Sequence, residues 1–156
     1  MRKCHVFMIA TAAWLYAAPV TTMAVDSGSE PAASNDLDAG RKAIQAKDWN
    51  AAVKSLAAAE RREPRNADVQ NLLGYAYRNS GKLDLAFKHY ERALQLDPRH
   101  RGAHEYAGEA YLMANNLAKA EEHLAALREL CAQGCVERDD LEKQIAEFRR
   151  RTAAAK

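Results

Sequence analysis

Between residues 35 and 151 the apolar side chains recur three and four positions apart, the spacing of one face of an α-helix. The pattern is clearest in the middle of the chain. Leu72, Leu73, Ala76 and Tyr77 share one face, which stops at Ser80-Gly81, where glycine can take the left-handed conformation that closes a helix. Leu83, Ala86, Phe87, Tyr90, Ala93 and Leu94 make a second face that ends ahead of Pro98, because proline disfavours helix at the residue before it. The positions between are mostly charged or polar, so each helix predicts one buried and one wet side. Gly74 and Ala86 are small enough for the two backbones to approach, with Tyr77 and Tyr90 filling the space beside them.

This helix pair repeats. Pro64 and Pro98 lie 34 residues apart, each closing an acidic-Pro step, and the same interval separates Gly40, Gly74 and Gly108, and Ala52, Ala86 and Ala120. Three independent sets on one period predict three helix-turn-helix units, at residues 33–66, 67–100 and 101–134. Residues 136–151 predict one more helix with a narrow stripe of Leu141, Ile145 and Phe148. Its wet side offers Asp139–Lys143 and Glu147–Arg151 as i,i+4 ion pairs. A stack of such units needs a terminal element with a polar outer face, and this helix fits as the cap. Residues 152–156 are expected to be a disordered tail.

Ahead of the helical region the pattern changes. Arg2 and Lys3 precede thirteen uncharged residues, Val6 to Ala18, and small residues follow to Thr22-Met23-Ala24. That order predicts a secretory signal peptide over residues 1–24, cut after Ala24. Thirteen helical residues span about 20 Å against a hydrocarbon core of roughly 30 Å, which favours export over permanent membrane insertion. Cys4 leaves with this segment. Residues 25–34 are small and polar without periodicity and predict a flexible linker, so the folded domain is expected over 35–151. In a bacterial host the destination is the periplasm.

Composition narrows the class. Of 156 residues 48% are apolar and 28% charged, which fits a soluble globular chain, while seven Gly and four Pro are too few for a turn-rich all-β fold. The 23 basic and 21 acidic residues give no prior for nucleic acid, and removal of the signal leaves 21 of each.

The middle unit carries Leu73-Gly74, Tyr77, Ala86, Tyr90, Ala93 and Pro98 in an arrangement that resembles the tetratricopeptide repeat. The first unit keeps Ala39-Gly40, Ala52, Leu56, Ala59 and Pro64; the third keeps Gly108, Tyr111, Ala120 and Leu124. The third departs at Leu127, where Ala is usual, and at Ala132, where Pro is usual. The resemblance implies an all-α, right-handed superhelical solenoid of three repeats plus the C-terminal cap helix. It also implies a non-catalytic protein–protein interaction module, similar to small periplasmic tetratricopeptide proteins of bacteria that act as scaffolds or assembly adaptors.

In that family the first helices of successive units line a concave groove that takes an extended peptide or a partner helix. The groove positions carried over are Arg41 and Gln45 in unit one, Asn71, Tyr75, Arg78 and Asn79 in unit two, and Glu105, Glu109, Leu112 and Met113 in unit three. Arg41 and Arg78 on one side and Glu105 and Glu109 on the other imply a ligand with an acidic and a basic part. Asn71 is expected to pair with a ligand main chain, and Tyr75, Leu112 and Met113 to offer apolar contact. Family members that clamp a C-terminal carboxylate use Lys and Asn at positions held here by Leu37, Arg41, Asn71, Gly102 and Tyr106, so that specificity is not implied. Self-association through groove and cap is a further alternative.

Two cysteines follow the signal, Cys131 and Cys135, at the junction of unit three and the cap. An exported chain with an even count predicts a structural bridge; a redox-active dithiol is the alternative, although the spacing has three intervening residues rather than two. His104-Glu105 begins a zinc-protease signature, but the second histidine it needs is Gly108. His100 and His104 are therefore expected to pack or cap, and His89 and His123 to lie on solvated faces. Trp49 is expected to pack at the turn of unit one. No catalytic residue, cofactor or metal site is predicted.

Overall fold

The computed structural model describes residues 30–155, which form seven helices. They are α1 (Glu30–Gln45), α2 (Trp49–Arg62), α3 (Ala67–Asn79), α4 (Leu83–Leu96), α5 (Arg101–Met113), α6 (Leu117–Leu130) and α7 (Val136–Ala154). Helices pair as α1–α2, α3–α4 and α5–α6, and α7 lies against α5 and α6. The three units and the cap are the all-α architecture that the periodicity predicts. The segment expected as a signal peptide, and the expected linker as far as residue 29, lie outside the described residues.

The turn inside each unit is built by one hydrogen-bond scheme. In the middle unit Lys82 N–H donates to the Tyr77 carbonyl at 2.9 Å and Gly81 N–H to that of Arg78 at 3.0 Å, with Gly81 at φ 76°. This is the Schellman closure, which needs a left-handed residue just past the helix. The same pair of bonds runs from Asp48 to Ala43 and Lys47 to Ile44, and from Asn116 to Tyr111 and Asn115 to Leu112. The residues at φ 57° and 61° there are Lys47 and Asn115, each 34 positions from Gly81. Asp48 and Asn116 then cap the helices that follow, accepting from Ala51 N–H at 2.9 Å and Lys119 N–H at 3.1 Å.

The core follows the small residues. A Cβ on Gly74 would stand 2.5 Å from the Tyr90 ring, and one on Gly40 2.6 Å from Leu56, so each glycine lets its unit's two helices close. Gly108 breaks the series, because its notch is filled by Leu141 of α7, at 2.6 Å, rather than by its own second helix. Leu141, Ile145 and Phe148 join Leu112, Leu124 and Leu127 in one buried cluster. Burial of three such side chains contributes roughly 2 kcal/mol each, which seats the cap.

The expectations for the linker, the tail and the ion pairs on the cap helix are corrected here. Helix α1 starts at Glu30, inside the stretch expected as linker, and α7 continues to Ala154, through residues expected as a disordered tail. The Thr152 hydroxyl returns to the carbonyls of Phe148 and Arg149 at 3.0 Å each and so lies within helical turns. The expected pairs on α7 are replaced: Asp139 meets Arg138 at 2.7 Å and Glu147 meets Arg150 at 4.0 Å. Longer bridges dock the cap instead, Arg128–Glu142 at 2.5 Å and Arg149–Glu121 at 2.6 Å from α6, and Arg101–Glu137 at 3.5 Å from α5. The last turn of unit three keeps its register despite Leu127 and Ala132, since Cys131 N–H donates to Leu127 O at 3.0 Å as Asp97 N–H donates to Ala93 O at 2.8 Å.

Candidate functional site

Helices α1, α3, α5 and α7 stand in a row, each touching the next, and their shared face carries the groove positions. At its centre is Arg78 of α3. Its side chain is 10% exposed and its guanidinium is ion-paired with Glu109 of α5, whose side chain is 20% exposed. The guanidinium carbon lies 5.1 Å from the Tyr75 ring centroid and 5.5 Å from that of Tyr106. Stacking on two aromatic faces suits a planar, always-charged group and holds it in place. Arg78 and Glu109 therefore do not stand as the free ends of a split charge. They neutralise each other and tie α3 to α5.

The aromatic floor extends beyond this pair. Tyr75 and Tyr106 have centroids 4.8 Å apart, and Trp49, at the start of α2, meets the edge of Tyr75 at 6.1 Å. Trp49 thus packs onto unit two rather than only at its own turn. Burial, with Glu105, Tyr75 and Glu109 nearby, raises the Tyr106 phenol to about 12, so the ring stays neutral.

The other expected groove residues divide. Asn71 is 6% exposed, and its Nδ2 lies 3.3 Å from where a Cβ on Gly102 would sit. Its Oδ1 is buried without a hydrogen-bond partner among the described residues, so Asn71 is packed between α3 and α5 and largely withdrawn from solvent. The Asn79 amide donates to Tyr75 O at 2.8 Å and closes α3. Leu112 is 8% exposed and belongs mainly to the core with α7. Arg41 remains at the surface, 3.4 Å from Asp38 and 3.9 Å from Asp68, and Gln45 is exposed. Met113 is 58% exposed. Glu105 is half-buried; desolvation, then the charges of Glu109, Asp140 and Glu137, raise its carboxyl to about 7.

Past Met113 the row ends in a cleft of about 560 Å³ between α5 and α7, lined by Arg78, Glu109, Leu112, Met113, Gln144, Phe148, Arg151 and Thr152 among others. Sequence reasoning missed its α7 wall, and it used Tyr106 only to set aside a carboxylate clamp. A signal for Tyr106 was present: Gly102, Tyr106, Glu109 and Met113 lie at helical spacing on one stripe of α5.

Of the histidines, His100 and His104 cap and pack as expected, and His89 and His123 depart from expectation. His100 caps α5, its Nδ1 accepting from Ala103 N–H at 3.1 Å while Nε2 donates to Asp68 at 3.0 Å. His89 and His123 are not on solvated faces. His89 donates from Nδ1 to Gln70 Oε1 at 2.8 Å and stacks on Tyr77, and burial lowers its pKa. His123 shares a hydrogen bond between Nδ1 atoms with His104 at 3.0 Å and stacks on Tyr111. Burial, and after it the charge of His104, lowers His123 to about 4. His104 Nε2 donates to Pro98 O at 3.1 Å. Cys131 and Cys135 are bridged, with Cα atoms 5.9 Å apart, across the turn from α6 to α7.

Comparison with known proteins places this geometry. No curated protein sequence is matched by the chain. Among solved structures it is similar to the Arabidopsis OM64 TPR domain, with a TM-score of 0.70 at 20% identity over 77% of this chain and 98% of that one. It is similar to the TPR2B domain of yeast Sti1 in a complex with pHsp70, at 0.68 and 21% over 81% and 99%. It is also similar to the Yersinia enterocolitica type III secretion chaperone SycD in complex with a peptide of the translocator YopD, at 0.65 and 22% over 74% and 87%. Two family models described as Tetratricopeptide repeat match residues 37–100 and 78–130, overlapping over residues 78–100. The 34-residue period, the glycine notches and these matches together make the chain a member of the tetratricopeptide repeat family.

Proposed function

We propose that this protein is a non-catalytic interaction module whose α1–α3–α5–α7 face binds a segment of another protein, extended or helical. It does so as an assembly adaptor in the periplasm of a bacterial host, after export by residues 1–24. The observation that carries the reading is the row of Gln45, Tyr75, Tyr106 and Met113, which lies on one face over a scaffold fixed by the Arg78–Glu109 pair. The aromatic side chains offer contact area with few torsions to order, methionine adapts to irregular shapes, and the clasp keeps the surface preorganised. The complexes of Sti1 with pHsp70 and of SycD with a YopD peptide support segment binding as a use of this fold. Gly102 and Tyr106, at positions where Lys and Asn clamp a terminal carboxylate, speak against that particular ligand.

A reduced charge split remains on the face. Arg41 is exposed on α1, while Asp140 brings negative charge to α7 and Glu105, raised to about 7, is partly ionised on α5 at neutral pH. The favoured segment carries an acidic part over α1 and a basic part over the first turns of α5 and α7. The test is a crosslinking pull-down from host envelope extract with wild type, Arg41→Glu and the α4 surface control Lys88→Glu, read by mass spectrometry. One partner should be held by wild type and Lys88→Glu and depleted by Arg41→Glu. Equal capture by all three proteins contradicts the groove assignment.

A further inference from the structure

The cleft at the end of the row asks for a ligand more specific than the row itself. It exists because α7 has 19 residues where α5 has 13 and α6 has 14, so the last turns of α7 overhang and form its outer wall. Its floor is apolar, made by Leu112 and Phe148, with Met113 at the lip. Met113, Leu85 and Val136 are the large apolar side chains left exposed among the described residues, and of these three Met113 alone lines the cleft.

Charge then selects what accompanies an apolar group. Arg78, on the inner wall, is matched by Glu109. Of the three consecutive arginines on α7, Arg149 pairs with Glu121 at 2.6 Å and Arg150 with Glu147 at 4.0 Å. Arg151 is the one that lines the cleft, and it forms no ion pair among the described residues. The cleft therefore joins an apolar floor to one uncompensated guanidinium, and its volume of about 560 Å³ accepts a bulky side chain.

We propose that this cleft is a side-chain pocket for a bulky apolar residue flanked by an acidic one, within the protein segment that binds the groove. The apolar side chain covers Leu112, Met113 and Phe148, and the carboxylate makes a charge-assisted hydrogen bond with Arg151. The proposal rests on the groove reading and adds a sequence preference to it. It also orients the segment, since an acidic residue is drawn to Arg151 while a basic one is drawn to Glu105 and Asp140.

The protein carries its own reporter. Methionines occur at 1, 8, 23 and 113, so Met113 is the one methionine outside the first 24 residues. The full chain, labelled at its methionine methyl groups, is titrated by NMR with the blocked peptide acetyl-Ser-Asp-Phe-Asp-Ser-amide. Parallel titrations replace both Asp by Lys, or Phe by Ser. The acidic Phe peptide should shift the Met113 methyl saturably, and either replacement should weaken binding roughly tenfold. Arg151→Glu, at an exposed rim position, should reverse the preference between Asp and Lys peptides. A Met113 methyl that none of the peptides moves, or that acidic and basic peptides move alike, overturns the pocket. If the Arg41→Glu pull-down still loses its partner in that case, the groove stands and only the pocket fails; if both fail, the groove reading falls with it.

Discussion

Breaking the Arg78–Glu109 clasp from one side should destabilise the fold far more than removing both partners. Glu109→Leu leaves a guanidinium whose side chain is 10% exposed with no carboxylate opposite it. Arginine cannot shed its proton to escape, so the charge stays and lacks its solvation. One-sided loss of a fully buried pair costs about 3–5 kcal/mol, and because Glu109 is 20% exposed the cost here falls just below that range, about 2–3 kcal/mol. Stacking on Tyr75 and Tyr106 offsets part of this but keeps the cation inside. The double variant Arg78→Met/Glu109→Leu replaces the pair with apolar groups of similar volume and should return to within about 1 kcal/mol of wild type. The assay is urea unfolding followed by far-UV circular dichroism, with the slope checked for constancy so that midpoints report stability. If Glu109→Leu lies within about 0.5 kcal/mol of wild type, the pair behaves as an exposed surface bridge and Arg78 is available to ligands after all.

Other consequences are local. Lys47, at φ 57°, occupies the turn position held by Gly81 in the middle unit, so Lys47→Gly should stabilise by about 0.5–1 kcal/mol in the same unfolding assay. Reduction of Cys131–Cys135 reopens a five-residue loop and should lower stability by about 2 kcal/mol, with protection lost first in α7 by hydrogen exchange. Stability against pH should show two opposed slopes. His123, lowered to about 4, is protonated more readily in the unfolded chain, so stability falls as pH drops from about 6.5 towards 4. Glu105, raised to about 7, holds its proton better when folded, so its contribution is lost as pH rises from about 4.5 to 7. After discount for solvent screening, Glu105→Gln should gain on the order of 1 kcal/mol over wild type at pH 8 and nothing at pH 4, measured by thermal melts. A constant difference across that range contradicts the assignment.

What the sequence disclosed is what repeats. Gly40, Gly74 and Gly108 mark close helix approaches and Pro64 and Pro98 mark unit ends, so the fold could be read from one period. What it hid depends on pairing between units. Arg78 and Glu109 are 31 residues apart, and each reads as an ordinary wet helix residue until the two faces are set side by side. The same holds for His89 with Gln70 and His123 with His104, 19 residues apart in both cases. Gly108 kept the period but found its partner in α7, which no internal repeat announces. The overhang of α7 was hidden differently: Arg149 to Ala154 favours helix by propensity, but nothing periodic distinguishes it from a frayed end.

The central claim is that the α1–α3–α5–α7 face, and not the face of the second helices, receives a protein segment. Position-specific photocrosslinking in the host tests it most directly, with the crosslinking residue placed at Gln45 or Met113 on the groove, or at Leu85 or Lys88 on α4. All four positions are exposed, so none should disturb the core. The groove positions should capture one common segment of a single protein and the α4 positions should not. Capture only from Leu85 or Lys88, or from none of the four, would contradict the account.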